Sequence, residues 1–104
     1  MRQVEHSILQ YYTALAKEGT EASIAEIMKH LDVEMSIGES KIIDFSLGLV
    51  DSLEGVKIME RYLFHGTQIQ RNYCALYFGR RGDYFVIRKA YLEGLIDEKQ
   101  AFSR

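Results

Sequence analysis

Residues 71–83 read RNYCALYFGRRGD, and the parsing of this stretch decides the fold. Its arginines and aromatic rings suggest a binding site; its spacing suggests one helix and its turn. The scaffold reading accounts for more of it. Ile69, Tyr73, Leu76 and Tyr77 recur at helical intervals, and Gly79 and Gly82 mark the end of the run. The small side chains Cys74 and Ala75 let this helix approach a neighbour closely. Asp83 is placed to cap the next helix by accepting its free N–H groups.

Working outward, helical spacing appears almost everywhere and strict alternation almost nowhere. Val4, Ile8, Leu9, Tyr12 and Leu15 define a first helix over 3–18, stopped at Gly19. Thr20 or Ser23 caps a second, with Ile24, Ile27, Met28 and Leu31 on one face. DVEMSIG reads as a loop. ESKIIDFSLGLVDSL follows as a third helix with Ile42, Phe45, Leu49 and Leu53 in register, broken at Glu54–Gly55. VKIMERYLF is a fourth helix carrying Val56, Met59 and Leu63, ended by His65–Gly66. Thr67 caps the fifth, and YFVIRKAYLEGL forms the sixth before a polar tail, DEKQAFSR. The chain holds no proline, which fits uninterrupted helices. Six helices joined by short turns predict an all-α single domain over 1–104, with consecutive helices antiparallel.

A shift of 29 residues lays 41–66 over 70–95. Leu47 then falls on Leu76, Ile58 on Ile87, Tyr62 on Tyr91 and Leu63 on Leu92, while Glu54 meets Asp83 at the turn. Such matches on helix faces and turns point to an internal repeat. RNYCALYFGRRGD resembles the pattern of HEAT-like repeats of the phycobilisome-lyase type, Arg-x-x-Ala-Ala-x-Ala-Leu-Gly-x-x-Gly-Asp. Arg71, Ala75, Gly79, Gly82 and Asp83 occupy its positions; Cys74 replaces an alanine and Phe78 a leucine. The preceding GVKIMERYLFHG resembles the first helix of the same unit. The resemblance implies a stack of antiparallel helix pairs, about two and a half repeats long, and a fold more than an activity.

Composition narrows the function classes. The 104 residues are 47% hydrophobic and 27% charged, as in ordinary globular domains. A single cysteine excludes an internal disulfide. The opening MRQVEHSILQ lacks the apolar run of a signal peptide, and no stretch reaches a membrane span; a cytoplasmic location is expected. Charge is uneven. Residues 1–60 carry five Lys or Arg against eleven Asp or Glu, and residues 61–104 carry eight against four. Such halves can attract one another between copies or present a basic face to an acidic partner.

No catalytic residues, metal ligands or cofactor are expected. His6, His30 and His65 stand apart, no second cysteine exists, and Gly79–Gly82 lacks the Lys-Ser/Thr of a phosphate loop. Cys74 reads as a small buried side chain. Glu18, Glu21, Glu26 and Asp32 read as a solvated surface. The candidate partner- or anion-binding group is Arg71, Arg80, Arg81, Arg88 and Lys89 with Tyr84, since guanidinium forks take phosphates and carboxylates and tyrosine faces can stack bases. Arg71 also has a structural reading, paired with Asp83 or Glu54. Residues 22–53 can be parsed as a helix-turn-helix, but the recognition helix would carry Asp44 and Asp51 with only Lys41 to meet phosphates.

The expected function is a non-catalytic protein-binding adaptor or scaffold, with a small nucleic-acid-binding protein as the alternative. A homodimer is expected as well, because Ile87, Leu92 and Leu95 at the end of a short stack need covering.

Overall fold

A computed structural model describes the backbone from residue 3 to 102 and side chains from residue 6. Val4, part of the expected first face, and the last two residues of the tail lie outside the described side chains. The regular structure is helical throughout: α1 (Gln3–Glu18), α2 (Glu21–Met28), α3 (Ile37–Leu47), α4 (Leu53–His65), α5 (Gln68–Arg81), α6 (Tyr84–Leu92) and α7 (Glu98–Phe102). The all-α expectation holds, with seven helices among the described residues rather than six. The chain divides into two compact units, Met1–Ile58 and Met59–Arg104, the boundary falling within α4.

In the first unit, α1 packs against both α2 and α3. Tyr12 and Ala16 of α1, Ile24, Ile27 and Met28 of α2, and Ile43 and Leu47 of α3 are buried. Helix α2 starts on a reciprocal cap. Thr20 N–H donates to Ser23 Oγ at 2.9 Å, and Ser23 N–H donates to Thr20 Oγ1 at 3.2 Å. Two of the four N–H groups that a helix start leaves unpaired are thereby satisfied.

The largest departure from the sequence reading is between α3 and α4. Ser36 Oγ accepts Glu39 N–H at 3.0 Å, so α3 begins earlier, at Ile37. It ends at Leu47, where Gly48 caps it and the chain turns through Leu49 and Val50. The buried side is Ile43, Ser46, Leu47 and Val50, and Phe45 and Leu53 face outward. The expected stripe is thus displaced by one position within α3, from Ile42 and Phe45 to Ile43 and Ser46, and beyond Leu47 the chain turns at Gly48 instead of continuing as a helix. Gly55 does not break a helix; it lies in the first turn of α4. Ser52 Oγ accepts the Gly55 N–H and donates to the Gly19 carbonyl, both at 2.9 Å. A Cβ on Gly55 would sit 2.6 Å from Val50 Cγ1 and 2.7 Å from Ser52 Oγ. Gly19, at φ +64°, closes on the same hydroxyl. Glycine is needed here for close approach.

In the second unit, α5, α6 and α7 pack on one another. Cys74, Ala75 and Phe78 of α5, Ile87 and Ala90 of α6, and Ile96 and Ala101 further on are buried. Thr67 caps α5 reciprocally with Gln70: each side chain accepts the other's backbone N–H, at 3.2 and 2.8 Å. Gly82, at φ +80°, ends α5 in the left-handed conformation that glycine adopts at little cost. Asp83 makes no side-chain cap on α6; its carboxylate takes Arg81 Nε at 3.1 Å instead. The expected polar tail contains α7, capped reciprocally by Asp97 and Gln100, each N–H to oxygen contact being 2.8 Å. Ala101 is buried, and the Phe102 ring meets Tyr91 edge-on with centres 5.3 Å apart.

Candidate partner-binding surface

The basic residues grouped by sequence proximity separate in the fold. Arg71, half-buried, is committed to the backbone: its Nε donates to Leu95 O and its Nη1 to Gly66 O, both at 2.7 Å. These bonds tie the turn before α5 to the turn after α6. Of the acids suggested as its partners, Asp83 takes Arg81, and Glu54 accepts Glu21 N–H at 3.0 Å. Arg81 also stands over the Tyr77 ring, 5.5 Å from its centre, and Arg80 is exposed beside it.

The remaining three residues share α6. Tyr84, Arg88 and Lys89 are exposed, and their spacing places them on one side of the helix. Phe85, which the sequence reading left out, and Leu92, which it named as needing cover, complete this surface. Phe85 is 85% exposed and Leu92 is 69% exposed; they are seven residues apart, hence on one line along the helix. That line runs between Arg88 on one flank and Lys89 on the other. Lys89 is steadied by the Phe64 ring, with Nζ 5.4 Å from its centre, an attraction of cation for ring face. The signal was present in the sequence. YFVIRKAYL has apolar or aromatic residues at seven of its nine positions, more than one side of a surface helix can bury, so some must face outward.

A second polar grouping, in the first unit, was missed. Tyr11 Oη donates to Glu26 Oε2 at 2.6 Å, and Tyr12 Oη donates to Glu39 Oε2 at 2.7 Å. His30 Nε2 stands 3.4 Å from Glu26 Oε2, and Lys29 Nζ is 2.9 Å from the other oxygen of Glu26. The His30 ring meets both tyrosine rings edge-on. The Tyr11 hydroxyl, then Lys29, hold the Glu26 carboxyl down at about 2. Burial, then the Glu39 carboxylate, push the Tyr12 hydroxyl up. Glu26 is therefore an organised group rather than the solvated acid expected, and the i, i+4 spacing of Glu26 and His30 was the available clue. Cys74 is fully buried, and burial raises its thiol far above the usual range, leaving negligible thiolate at neutral pH.

Compared with family models, curated proteins and solved structures, the chain finds no match in any of the three. Among the described residues, no helix is long and apolar enough to cross a membrane.

Proposed function

We propose that the chain is a non-catalytic protein-binding adaptor or scaffold on HEAT-like helical repeats, presenting the outer side of α6 to its partner. The observation that carries this reading is the exposed pair Phe85 and Leu92 flanked by Arg88 and Lys89. Large apolar side chains in water beside cations suit the core and rim of a protein contact, where aromatic residues and Arg contribute most. A nucleic-acid partner is the weaker reading. Arg71 and Arg81 already hold intramolecular acceptors, and the apolar pair occupies the middle of the surface, where phosphates would need cations. A cytoplasmic location goes with this proposal.

The test compares proteins captured from lysate by the wild-type chain and by a Phe85→Glu/Leu92→Glu variant, each with and without nuclease. A protein held by the wild type, lost with the variant and indifferent to nuclease supports the reading. Equal capture by both chains, or capture abolished by nuclease, overturns it.

A further inference from the structure

Helix α6 carries cations without acids. Tyr84–Leu92 holds no Asp or Glu, and residues 80–92 hold four Lys or Arg against one Asp. That one, Asp83, is taken by Arg81. A cation on a surface helix is ordinarily answered by an acid three or four residues away. Around Arg88 those positions are Tyr84, Phe85, Tyr91 and Leu92, none of them an acid. Lys89 has only Glu93 at such a spacing, and it stands over the Phe64 ring instead. Among the described residues, neither Arg88 nor Lys89 is within ion-pairing distance of a carboxylate. The two lie on opposite flanks of the Phe85–Leu92 line, so positive charge brackets the apolar row on both sides.

We infer that the partner of this surface is an acidic amphipathic helix, with apolar side chains in a row along its middle and Asp or Glu on both flanks. This rests on α6 being the partner surface. Phe85 and Leu92 are one heptad apart, ~10 Å along the axis, the period at which two helices packed side by side meet again. In such a pair the positions beside the apolar seam carry the charges that select the partner. A cation on each flank of α6 selects an acid on each flank of its partner and repels a basic helix. An extended segment added by strand pairing needs a free sheet edge, and the regular structure among the described residues is helical throughout. A phosphate backbone would meet the two cations but leave Phe85 and Leu92 without apolar cover.

The probe is a phage-displayed library of helical peptides, with Leu fixed along the seam and each flanking position drawn from Glu, Lys and Gln. It is selected on the full chain and on a Phe85→Glu/Leu92→Glu variant, with far-UV circular dichroism confirming that the variant keeps its helices. Peptides that the wild type retains and the variant loses should carry Glu on both flanks. A synthetic peptide from that group should bind about tenfold more weakly to Arg88→Glu and to Lys89→Glu, both at exposed positions. Lys in place of the facing Glu of the peptide should recover most of that loss. Retained peptides with neutral or basic flanks overturn the acidic partner and leave α6 as the partner surface. Binding that ignores the double variant overturns both. A library with no peptide preferring the wild type overturns the acidic helix, and the lysate capture then decides the role of α6 by itself.

Discussion

The turn into α4 and the turn into α6 stand 29 residues apart and occupy matching places in the proposed repeat, yet they are held by opposite means. At the first, Ser52 is bonded at once to Gly19 and Gly55, and neither glycine has room for a Cβ. At the second, Gly82 has nothing within 4 Å of a Cβ position, and Asp83 makes an ion pair with Arg81 near the surface. The same sequence pattern, a glycine beside an acid, therefore marks a packed junction in one place and a solvent-facing bend in the other. What separates them is Gly19, thirty-three residues before Ser52, and no local pattern reports so distant a neighbour.

The comparison can be broken most directly at Gly19. Gly19→Ala imposes both the left-handed strain and a clash with Ser52, and should lower unfolding free energy by about 2–4 kcal/mol in urea denaturation. Ser52→Ala removes the cap on Gly55 and the bond to Gly19, and should cost about 1–2 kcal/mol, lowering Tm by some 4–8 °C per kcal/mol. Gly82→Ala meets only backbone strain and should cost about 1 kcal/mol, with Gly82→Asn milder because asparagine tolerates that conformation. If Gly82→Ala proves as harmful as Gly19→Ala, the contrast between the two turns is wrong.

The smaller effects sharpen the picture by charge. The Glu26 carboxyl is held below its unfolded value, so its contribution is present above pH ~4.5 and is lost as pH falls towards about 2. Tm measured from pH 6 down to 2 should therefore drop less steeply in Glu26→Gln than in the wild type. An unchanged acid slope would mean that the Tyr11 and Lys29 contacts are not kept in solution. Smallest of all, Asp83→Ala removes only an exposed ion pair and should stay within about 0.5 kcal/mol of wild type. A larger loss would restore a capping role to Asp83.

Much of the fold is legible in the sequence, and the errors have physical sources. Ile24, Ile27 and Met28 were readable because they fall on one side of α2, whose Thr20–Ser23 start is a recognisable cap; Leu31, just beyond the helix, is buried with them. The same holds for Thr67 and Gln70. The α3–α4 junction was misread because Gly48 and Gly55 exchange roles: the first ends a helix without positive φ, and the second sits inside one for closeness. Helix α7 escaped because charged Asp97, Glu98 and Lys99 dominate its segment, although the Asp97–Gln100 spacing announces a reciprocal cap. The basic group was assembled from sequence proximity, which cannot tell that Arg71 turns back to two carbonyls. Phe85 was hidden in turn, since an apolar residue on a short helix reads first as core; Leu92 was named as needing cover, and Ile87, named with it, is buried.

Cys74 gives the second unit an internal clock. It is the only thiol in the chain, it is fully buried, and its helix packs against both α6 and α7. A thiol reagent in excess can reach it only when that arrangement opens. When reclosing outpaces modification, the labelling rate scales with the open fraction rather than with the reagent's access to a folded surface. One free sulfur thus distinguishes local fraying of α7 from loss of the whole three-helix unit, by whether changes at Asp97 alter the rate as much as changes beside Ile87.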